Sequence, residues 1–538
     1  MPTLALTWWS ALNGDVTYAL GGIATAGRGG VSVWDVFVAR PLAYRLLVGG
    51  LEAGRSVLVG DSSLTVSHLV VRIEAGLLVL AVTVVLFLGV RRFLGTRPAA
   101  VIAVATGLAL VAAPPWHFLE PDWAAALAAV LAVGAACAPR RVWLGALLGG
   151  SAAFLTVAVK LATAPIGLLA LLLVAVLSRR RAGWAAAVTA VVTVVWYVLT
   201  EQFLPWEWWW LRDQASLVGQ SPIHHGLRWR DAYHLRDAVG NVAILSPVVV
   251  VAPAAVAALI RRLPPGRGRW FAAGFAVLAA GVSVASAYGQ GEFFMYHFAV
   301  VPVLAAAVWG AAFALCAPAR VPLVVATVLV AVPAVVLLRL PADWRLHHLQ
   351  PVMAGAALVA AVAAGVVWVA AGRAAGAGPQ RPSWVVCAVA MCAVLLPASL
   401  PGSAVAFSAH NHTIVNKPPT SYGYDRLSDR IGRDTPVLYL AFGSVGHVMG
   451  NPTTCRYPSP QWLQRASRHP LVRDYPSYAD NLRCLTGDRR ARYLVWQPGW
   501  FDLTGADPVV RSLIASRFDC APAARVPAPP NLVVCPAR

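Results

Sequence analysis

The stretch GLLVLAVTVVLFLGVRRFLGTR, residues 76–97, decides the class of fold. Its first part is an unbroken apolar run, and a pair of arginines ends it. A helix needs about 20 such residues to cross the hydrocarbon core of a bilayer. Arginines clustered at the end of a span mark the cytoplasmic side.

The pattern repeats. About twelve apolar runs lie at 73–91, 99–115, 120–137, 142–158, 161–178, 184–203, 239–260, 270–288, 295–317, 321–338, 351–372 and 384–400. With 59% hydrophobic and 12% charged residues over 538 positions, the chain is too apolar for a soluble globule and reads as an α-helical polytopic membrane protein. The net charge of +20 is a topology signal, because the arginines sit in short linkers, so no nucleic-acid partner is expected. Arginine-bearing linkers such as RRFLGTR, SRRRAG and RRLPPGRGR alternate with PPWHFLEPDW, VKLATAP and YGQGEFFMYH, which places the second set outside the cytoplasmic membrane. Both chain ends then lie outside. Residues 1–69 would form an outer N-terminal loop with membrane-surface helices, and MPTLALTWWSAL reads as the tail of a span that an earlier start would supply.

Residues 70–400 form the membrane core on this reading, and 401–538 a small extracytoplasmic α/β domain. PVLYLAF, ARYLVWQ and NLVVCP read as buried strands; SPQWLQRASRHPLVR and DPVVRSLIASRF read as helices. Cys455, Cys484, Cys520 and Cys535 fall in this domain and fit two disulfides in an oxidising compartment, with three connectivities open. No Cys/His spacing points to zinc. Asp480 and His447 stand isolated and read as surface or strand-end residues.

Ionisable groups at membrane depth are costly and mark functional sites. Asp15 and Tyr18 share a face if their segment is a surface helix, with Asp35, Arg40 and Pro41 following; the alternative is that Asp15 only caps that helix. His117, Glu120 and Asp122 stand at the outer start of a span, where acids also suit the helix dipole. Lys160 is conspicuous because 41 of the 43 basic residues are arginine, a bias typical of G+C-rich bacterial genomes. As a compact cation it suits phosphate contact, or it snorkels to headgroups. Tyr296 and His297 begin a span. In the loop FLPWEWWWLRDQ, Trp206, Trp208, Trp209 and Trp210 suit either the membrane interface or a sugar ring, and Arg212, His224, His225, Arg228 and Arg230 suit phosphate. There is no P-loop, GxSxG or HExxH.

Taken in order, NGDVTY with ARPLAYRLL, LEPDW, VKLATAP and MYHFAVVP resemble the outer-loop motifs of the GT-C superfamily of integral-membrane glycosyltransferases, over about residues 13–310. Protein mannosyltransferases, aminoarabinose transferases and actinobacterial arabinofuranosyl- or mannosyltransferases are similar. The chain has GDV where protein O-mannosyltransferases carry a paired Asp-Glu. The resemblance implies a polyprenyl-phosphate sugar as donor, a glycan, lipid or protein acceptor, and inverting transfer at the outer face. Asp15 would be the catalytic base, with Asp35, Glu120 and Asp122 orienting the acceptor or holding a metal. Lys160, Arg212 and His297 would bind donor phosphate, and Tyr18, His117, Tyr296 and Trp208 would contact substrate. No cofactor is required on this reading; a divalent cation, Mg or Mn, is compatible with it. The alternatives are a transporter or flippase of lipid-linked glycan and a membrane-anchored envelope assembly protein.

Overall fold

The computed structural model describes residues 9–60, 62–221, 224, 232–372, 382–405 and 413–538. Each of the twelve apolar runs coincides with helix. Among the described residues, seven helical segments are long and apolar enough to cross a membrane: Leu64–Leu94, Val142–Val159, Arg179–Phe203, Arg267–Gln290, Met295–Leu315, Ala317–Leu337 and Leu349–Gly372. Thr96–Val111, Pro121–Cys137, Leu161–Leu177 and Trp384–Leu395 are shorter apolar helices. The run at 239–260, read as one span, is instead two helices, Ala232–Leu245 and Val248–Arg262, bent by 92°. Pro247 is the cause, since it cannot continue the ladder of amide donors and disfavours helical geometry at Ser246. The protein is a multi-pass membrane protein.

The chain forms two compact units. One comprises 1–11, 72–195 and 223–418 and holds most of the apolar helices. In it, Pro121–Cys137 packs on Val142–Val159, Thr96–Val111 on Val300–Leu315, and Val248–Arg262 on Leu349–Gly372. In a bilayer such contacts rest on close packing, because lipid tails are as apolar as the side chains. Gly149 shows the requirement: a Cβ there would lie 2.5 Å from the Cβ of Ala136. Leu349–Gly372, by contrast, buries little besides Ala363 and Val367, as a lipid-facing helix should.

The other unit comprises 12–71, 196–222 and 419–538. Its three-stranded sheet has the order β1 (Val437–Leu440), β2 (Tyr493–Trp496), β3 (Val533–Pro536), with β1 and β2 parallel and β3 antiparallel to β2. The three strands are the three apolar runs read as strands. Alternation sends Val437, Tyr439, Val495 and Val534 to one core and Leu438, Leu440, Leu494 and Cys535 to another, which is why they read as continuous apolar runs. The second core takes in Phe37, Trp206 and Trp210. Two of the loop tryptophans are therefore core residues, neither interfacial nor sugar-stacking. Of the open connectivities, the structure has Cys455–Cys484 and Cys520–Cys535.

His447 is not isolated. Its Nε2 lies 3.1 Å from His68 Nε2, and the Leu12 amide donates to His68 Nδ1 at 3.1 Å. That donation leaves the His68 proton on Nε2, where it is donated to His447. The helix Gly443–Met449 carrying His447 packs on Gly14–Arg28 so closely that a Cβ on Gly21 would meet the His447 backbone at 2.5 Å. Burial pushes the His447 imidazole down from 6.5 to about 4, with Arg55 acting in the same direction. The unfolded chain therefore takes up this proton at higher pH than the folded one. The stability involved is complete above about pH 6.5 and is lost as pH falls through about 4. Melting in detergent between pH 7.5 and 4 should show this decline, and His447→Gln, which can still accept from His68, should flatten it; an unchanged slope counts against the pair.

Candidate functional site

In the first unit the cluster centres on Asp122. Leu119 adopts a left-handed backbone with φ 65, and Glu120 follows in extended conformation at the N-cap of Pro121–Cys137, without capping it through its side chain. Asp122, in the first turn, is fully buried; Lys160 Nζ donates to its Oδ2 at 2.9 Å and Gln290 Nε2 to its Oδ1 at 3.0 Å. Lys160 is presented by the extended junction between Val142–Val159 and the following turn. Its ammonium also lies 5.7 Å from the centre of the Tyr296 ring, a cation–π contact. Tyr296 stands edge-on to His297, with centroids 4.5 Å apart, and His297 is 2% exposed.

His117 is fully buried, with no hydrogen-bond partner on either ring nitrogen among the described residues. Burial pushes it down to about 3, so it is neutral at physiological pH. The structure thus brings together Asp122, Lys160 and Tyr296, which the sequence reading took from three separate loops, and adds Gln290. The only sequence signal for Gln290 was an amide at the very end of an apolar helix.

In the second unit the cluster centres on Asp15. The cap of Gly14–Arg28 is Asn13, whose side chain accepts from the Asp15 amide at 3.2 Å, so Asp15 is not the cap. Asp15 Oδ2 instead accepts from Arg40 Nη2 at 2.9 Å and stays 40% exposed. Arg40 is presented by a turn in which Ala39 adopts φ 52. Arg45 fixes this turn by donating to the carbonyls of Val33, Trp34 and Arg40 at 3.0–3.1 Å. Arg45 is fully buried, ion-paired to Glu207 and stacked on Trp206 at 4.8 Å. Arg45→Ala leaves Glu207 buried without its partner, which should cost about 3–5 kcal/mol of stability. Denaturant unfolding of the detergent-solubilised protein measures this, and a loss below about 1 kcal/mol, the range of exposed pairs, would rule the role out.

Tyr18 is 2% exposed, its ring stacked on Phe442 at 5.5 Å, and burial pushes its hydroxyl above the usual tyrosine range. It is a packing residue of its helix, not a face open to substrate. Asp35 is exposed and accepts from Ser32 at 2.7 Å. Trp208 donates to Thr200 at 3.1 Å and stands edge-on to Tyr197, while exposed Arg212 donates to the Trp208 carbonyl. His225, Arg228 and Arg230 lie outside the described residues. Three of the four non-glycine residues with positive φ among the described residues, Ala39, Leu119 and Phe293, fall in outer linkers singled out in the sequence, though none falls in VKLATAP. Such backbone strain costs about 1–3 kcal/mol each and concentrates at functional sites.

No three His, Cys, Asp or Glu side chains converge among the described residues, and both Asp122 oxygens are engaged. The carboxylates present do not by themselves make a divalent-cation site.

No family model matches the chain, and no curated protein matches it. Solved structures do. ArnT from Cupriavidus metallidurans in the apo state aligns with TM-score 0.48 and 15% identity. The same protein bound to undecaprenyl phosphate aligns with TM-score 0.50 and 17% identity; in each case 99% of this chain and 95% of that one are covered. At this level of identity the likeness is one of fold, to a chain crystallised as ArnT.

Proposed function

We propose that the protein is an inverting membrane glycosyltransferase that moves a sugar from a polyprenyl-phosphate donor to a cell-envelope glycan, lipid or protein acceptor at the outer face of the cytoplasmic membrane. The observation that carries the reading is the full-length likeness in fold to an ArnT crystallised with undecaprenyl phosphate. A polyprenyl phosphate is the leaving group of the proposed reaction. The strained loops and their paired charges add support, since they coincide with the sequence motifs.

In this reaction the acceptor hydroxyl oxygen attacks the anomeric carbon while the Asp15 carboxylate takes up its proton. The bond from the anomeric carbon to the phosphate oxygen breaks, and its electron pair leaves with the polyprenyl phosphate. Lys160 has three N–H donors, of which Asp122 engages one, so the ammonium can also face phosphate charge. Arg212 and His297 remain secondary phosphate contacts. Glu120 and Asp35 orient the acceptor, Asp122, with both oxygens engaged, holds Lys160 in place, and no step is routed through a metal. The unit holding residues 419–538 lies outside the membrane on this reading.

The test is transfer from a radiolabelled polyprenyl-phosphate sugar in membranes containing the protein, with the label followed into lipid, glycan and protein fractions and the product anomer determined. Retained configuration, or label crossing sealed vesicles without transfer, would refute the reading.

A further inference from the structure

We propose that the unit containing the sheet carries an accessory binding site for an acidic saccharide, a sugar bearing a carboxylate or phosphate. An open pocket of about 370 Å³ lies beside the C-terminal end of Pro476–Gly487, lined by Thr454, Cys484, Asp488 and the arginines 483, 489 and 490. The Cys455–Cys484 disulfide anchors its wall.

The pocket has two chemically distinct parts. Asp488 is 7% exposed; its Oδ1 accepts from Thr454 Oγ1 at 2.6 Å and from the Arg490 amide at 3.1 Å. Its Oδ2 is buried and has no hydrogen-bond partner among the described residues. A buried carboxylate oxygen left unpaired is costly, so it calls for a donor from a ligand. The rim is cationic: Arg483, Arg489 and Arg490 are exposed. Guanidinium groups match carboxylate and phosphate oxygens in a fork geometry.

A ligand serving both parts offers a hydroxyl to Asp488 and an anionic group to the arginines. A bare phosphate meets repulsion from Asp488, and a neutral sugar leaves Arg489 and Arg490 without an anionic partner, whereas Arg483 already faces Asp480 at 3.4 Å. No aromatic ring lines the pocket to stack on a neutral sugar face. A uronate or a phosphorylated sugar meets all three conditions.

Titration of the full-length protein in phosphatidylcholine nanodiscs with a glucuronate disaccharide, glucose and inorganic phosphate tests this. Losing one charge-assisted hydrogen bond corresponds to about tenfold in affinity, so the disaccharide should bind at least that much more tightly than either control. Arg489→Ala with Arg490→Ala should lose about tenfold or more at unchanged melting temperature. Should that variant melt lower, Arg483→Ala, from the adjacent helix, serves the same purpose. Equal binding of glucose or phosphate, wild-type affinity in the variants, or loss of disaccharide binding when phosphatidylinositol is added to the nanodisc would each overturn the proposal, the last by assigning the pocket to a lipid headgroup. Binding is read without transfer, so the site and the transferase reading fail separately.

Discussion

Membranes carrying Asp15→Asn should transfer sugar about 10²–10⁴ times more slowly than wild type, the usual contribution of a positioned general base. The substitution is close to isosteric, and the amide oxygen can still accept from Arg40, so the turn around Ala39 keeps its contact. Helix stability should change little, because Asn13 and not Asp15 caps Gly14–Arg28. What Asp15 gives that helix is a first-turn charge worth about 0.3–1 kcal/mol. The loss should therefore appear in kcat with expression, melting temperature and donor binding preserved. Arg40→Met removes the group that holds Asp15 in place and should show a smaller loss. Wild-type transfer by Asp15→Asn would move the base to Asp35, Glu120 or Asp122.

Legibility followed the range of each signal. The bilayer imposes a long apolar run on any helix that crosses it, so every run read as a span coincides with helix. A short sheet covered on both faces imposes a similar local rule, and all three strands were legible in PVLYLAF, ARYLVWQ and NLVVCP. What failed were properties that hydropathy or neighbouring sequence does not carry. The bend at Pro247 leaves mean hydropathy unchanged. Trp206 and Trp210 join the core with residues more than 200 positions later, where a local reading sees only a tryptophan-rich loop. His447 seemed isolated because its partner, His68, is 379 residues away. At the candidate site the residue types were legible one loop at a time, while the contact of Lys160 with Asp122 and Tyr296 joins three loops that no local pattern links. The carboxylates' hydrogen-bond partners, Gln290 for Asp122 and Arg40 for Asp15, were not legible, since no local pattern links an amide or a turn arginine to a particular carboxylate.

Lys160→Met should reduce transfer by about 10²–10³, the loss typical when one preorganised group is removed from a developing anion. The difficulty is that Lys160 also neutralises Asp122, which is fully buried while Lys160 is 25% exposed. Removing the lysine alone leaves a buried carboxylate held, among the described residues, by Gln290, so part of any effect would be destabilisation. A double variant separates the two roles. Lys160→Met with Asp122→Leu replaces the pair by apolar groups of similar size, and such replacements are often neutral or stabilising. If Lys160 serves only the ion pair, the double variant should recover both melting temperature and transfer. If the ammonium faces the leaving phosphate, melting temperature should recover while transfer and undecaprenyl phosphate binding remain depressed. Recovery of all three would remove Lys160 from the donor site and leave Arg212 and His297 as the phosphate contacts to be tested.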